Sequence, residues 1–435
     1  MSTIAMFPEP GAWGPTNNLV AIAEPLRERG HRVVFVVEES FAGELVQRDF
    51  EEALMRMAPA PENPESVGEG WAEFIRTTAP EFRKPTIEQL ATVTKPIWEE
   101  LVAGAKYAHA RLREIWEDVR PDVVVSDNVV GFPAVPLAGV PWVRMVSSNP
   151  LELDDPVLPP AFSGYPADDQ TAWTQFRDEY ARLHEPLALE LSDFNREQGA
   201  PPLAPGQFQY ASPWLNLFLF AAEIDYARSQ PLGPTWHRLD STVRSGEPEF
   251  DLDQRLPGPA GAGRIVYLSL GSLGCMDTGL MQRFIDVLRR TEHRVIVSLG
   301  PRHEELVLGE RMYGEPFLPQ TSIVPACDLV ITHGGNNTVG EALYFGLPMI
   351  VHPLFWDQYD NAQRVDELGY GVRLRSYDWT DAELLRAVER LLGSEGPREP
   401  MGEIAHRLQR GPGQVKAADL IEQLCRTREP VSRPE

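Results

Sequence analysis

Short apolar runs, each closed by a glycine- or proline-rich turn and followed by residues at helical spacing, recur along this chain and leave few folds open to it. Ile4-Ala5-Met6-Phe7 ends in a loop from Pro8 to Pro15, after which Leu19, Ile22, Ala23 and Leu26 repeat every three or four residues. That pattern predicts strand, loop and helix. The helix stops at Gly30 and Arg32 to Val37 predicts the next strand, so the N-terminus reads as one β-α-β unit with a right-handed crossover. Further strands are expected at Val123 to Ser126 and Trp142 to Val146, with mostly helical sequence between Ala72 and Trp116. Strands this uniformly apolar are covered on both faces, as in parallel sheets.

The same alternation restarts in the second half. Strands are predicted at Ile265–Leu270, Arg294–Leu299, Leu329–Thr332 and Met349–His352, with helices around Met281–Arg290 and Asn337–Phe345. Between the halves, Ser245 to Gly263 is rich in glycine, proline and acids and has no apolar period, which marks a linker. The expected organisation is therefore an acceptor-side domain over 1–240, a linker over 241–263 and a second domain over 264–435, whose last helix can cross back to the first domain. An excursion from Asp154 to Pro213, with one helix at about Thr171–Gln198, is expected to close over a cleft. The fold class is α/β, with two doubly wound Rossmann-like domains facing across that cleft, where strand C-ends gather ligands.

Composition narrows the partners. With 64 acidic and 40 basic side chains the formal charge is −24, and no basic run could meet a nucleic acid or an anionic membrane. Three cysteines far apart (Cys275, Cys327, Cys425) form neither a disulfide framework nor a metal ribbon. No HExxH, His cluster or paired-carboxylate spacing occurs, so no metal or other cofactor is expected. The N-terminus lacks a signal-peptide pattern and no stretch approaches a membrane span, so the expected location is the cytoplasm, as monomer or homodimer.

Chemistry concentrates between Phe317 and Gln358. After the Leu329–Thr332 strand, His333-Gly334-Gly335-Asn336-Asn337-Thr338 turns into a helix, aiming backbone N–H groups and a positive dipole end at one point, which suits an anion. The Gly-Lys-Ser/Thr ending of a Walker loop is absent, and a plain strand-to-helix turn is the bland alternative. Glu341 sits one helical turn beyond Asn337, where its carboxylate can accept two ribose hydroxyls. Asp357 and Gln358 follow the next strand and suit sugar hydroxyls, while Phe317 and Gln320 offer a stacking face and an amide for a base.

This segment resembles the C-terminal signature of the family 1 UDP-glycosyltransferases of GT-B fold, and is especially similar to bacterial macrolide and antibiotic glycosyltransferases. The family's Trp-x-Pro-Gln appears as Phe317-Leu318-Pro319-Gln320, its His-x-Gly-x-Asn-Ser as His333 to Thr338, its ribose-binding Glu as Glu341 and its closing Asp-Gln as Asp357-Gln358. Gly30-His31-Arg32-Val33, Pro121 to Asp127 and Ser269-Leu270-Gly271-Ser272 extend the likeness over both halves. The resemblance implies that His333, Gly334, Gly335, Asn337 and Thr338 hold the diphosphate, with Ser272 reaching it from a facing loop. Glu341 would bind ribose, Phe317 and Gln320 the base, and Asp357 and Gln358 the hexose.

The acceptor side departs from the family. Where a general-base His is usual, this chain reads Gly14-Pro15-Thr16-Asn17-Asn18, and proline cannot take a proton. Asp127, at the end of the Val123–Ser126 strand, is the expected substitute, with Glu39 next. Asn17 and Asn18 could orient an acceptor hydroxyl, and Trp13 and Phe132 could line its pocket. The expected reaction is inverting O-transfer of glucose or a related hexose from a UDP-sugar to a small-molecule hydroxyl. A macrolide, polyketide or nucleoside antibiotic is the acceptor class, in tailoring or self-resistance. The alternatives are a catalytically silent nucleotide-sugar-binding partner protein and a UDP-sugar epimerase of the same fold.

Overall fold

The computed structural model describes residues 1–60, 77–258, 263–394 and 396–434. Parts of two expected segments, the helical sequence from Ala72 and the linker at 259–262, lie outside the described residues. The first sheet holds β1 (Thr3–Pro8), β2 (Arg32–Glu38), β3 (Glu51–Met55), β4 (Val123–Asp127), β5 (Trp142–Val146), β6 (Leu215–Phe218) and β7 (Trp236–Arg238), in the order β3-β2-β1-β4-β5-β6-β7. The second holds β8 (Ile265–Ser269), β9 (Arg294–Ser298), β10 (Met312–Glu315), β11 (Leu329–Thr332), β12 (Met349–Val351) and β13 (Gly371–Arg373), in the order β10-β9-β8-β11-β12-β13. Every paired strand is parallel.

Both orders reverse direction beside their first strand, at β1/β4 and β8/β11, and crevices open there because neighbouring crossovers leave to opposite faces. Helix α1 (Trp13–Glu28) follows β1, with Leu19, Ile22, Ala23 and Leu26 buried on one stripe, and Gly30 at φ +85° ends the unit. Val123, Val124 and Val125 are fully buried, as a strand covered on both faces requires. Two long helices, α2 (Lys95–Val119) and α3 (Trp173–Glu197), pack against each other, and α2 shares a core with Ala5, Val34, Val36 and Val124 of this sheet.

In the second half the helices are α4 (Thr278–Leu288), α5 (Asn336–Phe345), α6 (Gln358–Glu367), α7 (Asp381–Leu392), α8 (Arg398–Arg410) and α9 (Gly413–Thr427). Capping fixes where several begin: Asp277 accepts from Leu280 N, and Thr380 with Glu383 forms a reciprocal box at α7. The last helix, α9, lies on the first sheet, burying Ala417, Ala418, Ile421 and Leu424 beside α1. Strands β3, β6, β7, β10 and β13 have no counterpart in the expected set. They are edge or near-edge strands, short or with polar faces, and their apolar signal is correspondingly weak.

The segment between the sheets is no loose tether. Ser241, Thr242, Val243 and Arg244 are buried, and Gly413 of α9 approaches so closely that a Cβ there would stand 2.0 Å from the Leu239 carbonyl. Among the described residues no helix is long and apolar enough to cross a membrane.

Candidate functional site

The C-terminal ends of β8, β11 and β12 meet the C-terminal ends of β1, β4 and β5 across a closed cleft. On the second sheet, the turn after β11 runs into α5, whose N-terminus carries no side-chain cap, so its first N–H groups are free for a ligand. Gly334 stands at φ +91°, where a Cβ would meet Val351 Cγ1 at 2.7 Å and the Gln358 carbonyl at 3.1 Å. Only glycine fits that approach. The His333 ring lies between Gly271 and Gly335, since a Cβ on either would come within 2.5 and 2.6 Å of it. Burial lowers His333 to about 4, so it is neutral, and its hydrogen bond to the Ser269 backbone partly opposes that fall.

The other donor-side residues converge on the same turn, with several corrections to their expected partners. Asn337 was read as a phosphate donor, but its Nδ2 donates to the Gly14 carbonyl of the facing loop at 2.9 Å. Its neighbour Asn336 donates to the carbonyls of Ser147 and Leu219 at 2.7 and 3.0 Å, so the pair stitches the cleft shut. Gln320 is not a free amide: its oxygen accepts from the Tyr267 hydroxyl and its nitrogen donates to Glu341 and Thr338. Gln358 is likewise engaged, its oxygen accepting from Leu354 N at 3.0 Å, which shapes the loop before it. Asp357 accepts from Asn149 N of the first half at 2.9 Å, and burial lifts its carboxyl to about 6. Phe317 is 74% exposed, an uncovered ring face that a base can stack on. Ser272 is exposed at the turn after β8, facing the cleft mouth.

Glu341 is buried, and its carboxylate accepts from Arg244 Nη1 at 2.7 Å. Arg244 also pairs with Glu247, which in turn accepts from Thr321 N. Burial raises Glu341 and the Arg244 charge opposes that rise. Nothing in the linker's composition signals this contact, because its arginine is one among forty basic residues and its partner lies 97 positions away.

On the first sheet the cleft floor is acidic and dry. Asp127 is 4% exposed, burial pushes it up to about 7, and hydrogen bonding from Ser147 partly opposes the rise. Its Oδ2 makes no hydrogen bond. Beside it stands Glu9, which the sequence reading passed over: β1 and β4 pair Pro8 with Asp127, so Glu9 leaves the next strand at the same level. Glu9 accepts from Val129 N at 2.8 Å, leaves Oε1 unpartnered and is raised by burial to about 8. Its signal was present in the sequence as an acid directly after the first apolar run.

The remaining acceptor-side expectations fare differently. Glu39 is exposed and paired with Arg56 at 2.5 Å, which holds it below the usual carboxylate range, so it is a solvated ion pair and not a base. Phe132 is 1% exposed and packs edge-on against Phe7 at 4.9 Å, in the core. Trp13 packs on Phe41 at 4.6 Å, and Asn18 accepts from the Thr242 hydroxyl at the junction between the sheets. Asn17 is half-buried on the first turn of α1 and makes no side-chain hydrogen bond among the described residues. A cavity of about 310 Å³ lies beside α2 and α3, lined by Trp98, Phe162, Tyr180, Phe208, Arg144 and Glu152. Those residues come from five separate segments with no shared spacing.

The comparisons with known proteins fit this geometry. Residues 247–404 match the family model described as UDP-glucoronosyl and UDP-glucosyl transferase. Demethyllactenocin mycarosyltransferase of Streptomyces fradiae is 26% identical across 98% of this chain and 87% of its own length. The matched stretch carries the turn after β11, helix α5 and Glu341, and the chain as a whole is similar to named glycosyltransferases. Oleandomycin glycosyltransferase of Streptomyces antibioticus is similar to it at 25% identity, over 96% of the chain and 90% of that protein. Among solved structures, the glycotransferase of kitacinnamycin superposes with a TM-score of 0.69 at 20% identity, covering 97% of this chain and 98% of that one. Glycosyltransferase VinC, solved in complex with DTDP, gives 0.66 at 17% identity, with 97% and 98% covered. The chain therefore has the GT-B fold, with two parallel-sheet Rossmann-like halves.

Proposed function

We propose that this chain moves a hexose, glucose or a close relative, from a nucleoside diphosphate sugar to a hydroxyl of a small-molecule natural product, with inversion. The observation that carries this reading is one short chain of contacts across the cleft. Asp127 is hydrogen-bonded from Ser147, and the Ser147 carbonyl accepts from Asn336 in the turn that would hold the diphosphate. A base and an anion site are thereby joined through one residue.

In this reading the acceptor hydroxyl gives its proton to the Asp127 carboxylate as its oxygen attacks the anomeric carbon. The bond from that carbon to the diphosphate breaks, and its electron pair leaves on the diphosphate oxygen. The free N–H groups at the start of α5 stabilise the charge that develops there. No metal is needed, since the charge is met by fixed dipoles. UDP is the nucleotide that the family signature favours, while the dTDP complex of VinC supports testing thymidine donors beside it. The names of the relatives, a mycarosyltransferase and an oleandomycin glycosyltransferase, support antibiotic-like polyketides as the acceptor class.

The test is a transfer assay with UDP-glucose and dTDP-glucose, with and without EDTA, over a panel of macrolide, polyketide and nucleoside hydroxyls. The β-glycoside is expected from an α-linked donor, at a rate indifferent to EDTA. Nucleotide binding with no product from any acceptor would leave a silent donor-binding protein, and a rearranged donor without acceptor would point to an epimerase.

A further inference from the structure

Two buried amides, one from each half of the chain, hold the glycine turn after β11 from behind. Asn361, on the first turn of α6, donates from Nδ2 to the Gly334 carbonyl at 2.9 Å. Its Oδ1 accepts from Asn149 Nδ2 of the first half at 2.8 Å. Both asparagines are 1% exposed, so water cannot take the place of either partner. Asn149 lies just past β5, and its own Oδ1 accepts from Leu151 N at 3.0 Å, capping the short turn Pro150–Glu152.

The direction of this relay follows from the amides themselves. An amide carries its donor and its acceptor on opposite arms, so Asn361 keeps its nitrogen on Gly334 only while its oxygen is matched by a donor. Asn149 Nδ2 is that donor. The Gly334 carbonyl and the Gly335 N–H belong to one planar trans peptide and point in opposite directions. With the carbonyl drawn toward Asn361, the Gly335 N–H is turned away from it at the uncapped start of α5, and it makes no hydrogen bond among the described residues. The same segment of the first half reaches the other polar groups of the cleft: Asn149 N donates to Asp357, and Ser147 hydrogen-bonds Asp127.

We propose that Asn149, in the half opposite the donor turn, is a positioning residue for nucleotide binding: through Asn361 it fixes the Gly334–Gly335 peptide so that the Gly335 N–H meets the diphosphate. This rests on the diphosphate site of the proposed function and names what completes it. Without the Asn149 amide, the Asn361 oxygen is left buried and unmatched, its amide is free to turn over, and the Gly334 carbonyl loses its donor. The cradle is therefore whole only with the two halves together, and nucleotide affinity depends on a residue buried behind the turn.

Calorimetric titration of the full chain with UDP tests this without requiring turnover. Asn149→Ser keeps an oxygen that can cap the turn at Leu151 but is too short to reach Asn361, and Asn361→Ala removes the relay from the other side. The UDP Kd is expected to rise about tenfold in each single variant and no further in the double variant, because both changes break one chain. Asn149→Thr and Asn361→Ser repeat the measurement if the first variants do not fold. A residue that only supported the fold would lower the melting temperature and leave the UDP Kd of the folded chain unchanged. A Kd within about twofold of wild type in Asn149→Ser, a loss in the double variant near the product of the two single losses, or no UDP binding by the wild type would each overturn the proposal. Absence of glycosyl transfer would sink the proposed function but leave this titration decisive.

Discussion

The two faces of the cleft are built on different physical principles. The donor face is a backbone device: a glycine turn, a helix N-terminus and a neutral imidazole, all within the stretch from Phe317 to Gln358. The proposed acceptor face is a side-chain device: Glu9, Asp127 and Arg144 are buried, Arg144 and the half-buried Glu152 line an aromatic cavity, and all come from distant parts of the chain. A backbone device meets a dianion with fixed dipoles and needs no basic patch, so a chain of charge −24 can hold a nucleotide. The side-chain device instead uses desolvation to bring carboxyl groups into a useful range.

That contrast can be broken or sharpened by experiment. The largest effect is expected on the acceptor face: Asp127→Asn should lower kcat by about 10²–10³-fold while leaving the donor KM near the wild-type value, by initial rates at saturating acceptor. Because Asp127 titrates near 7 and must be ionised to take the proton, wild-type kcat should climb as pH rises through that value. A variant within tenfold of wild type would move the base to Glu9.

The next prediction tests whether the donor face is as local as its sequence suggests. Arg244→Leu leaves Glu341 buried without its cation and should destabilise the protein by about 3 kcal/mol in denaturant unfolding, with a raised donor KM. Wild-type stability and donor KM would show that the linker arginine is dispensable there. Gly334→Ala should lose about 2 kcal/mol and weaken nucleotide binding, because its Cβ meets Val351 and the Gln358 backbone. Unaltered UDP affinity in that variant would argue against a backbone cradle.

A further prediction concerns pH and stability. Glu9 and Asp360 are raised by burial to about 8, so the folded chain keeps protons that the unfolded chain has already released above about pH 4. Stability should therefore fall as pH rises from about 4 to 8, by at most about 1.4 kcal/mol per unit for each group. Thermal melts across that range check it, and Asp360→Asn should flatten the slope. Melting temperatures that rise instead would contradict the burial of these acids.

Much of the donor side could be read in advance because its chemistry is local. His333, Gly334, Gly335 and Glu341 are spaced by one turn and one helix, and strand β11 with helix α5 begins and ends within a residue of the expected bounds. The acceptor side resisted such reading. Trp13 and Phe132 have the character of pocket aromatics, yet Phe132 packs in the core and Trp13 lies half-buried against its edge, while Trp98, Phe162, Tyr180 and Phe208 carry no pattern that sets them apart. Glu39 and Asp127 both follow apolar strands, and only the neighbouring strands decided that one is solvated and the other dry.

By itself the sequence determined the alternation of strands and helices, the anion-binding turn and the absence of the usual histidine at Pro15. Periodicity and glycine placement are properties of adjacent residues and need no fold to be expressed. Only the tertiary structure decided that Arg244 meets Glu341, that Glu9 stands beside Asp127 and that Asn149 meets Asn361. Those contacts arise from strand order and from the apposition of two sheets, and desolvation, which tunes the carboxyl groups, exists only once both sheets have closed around them.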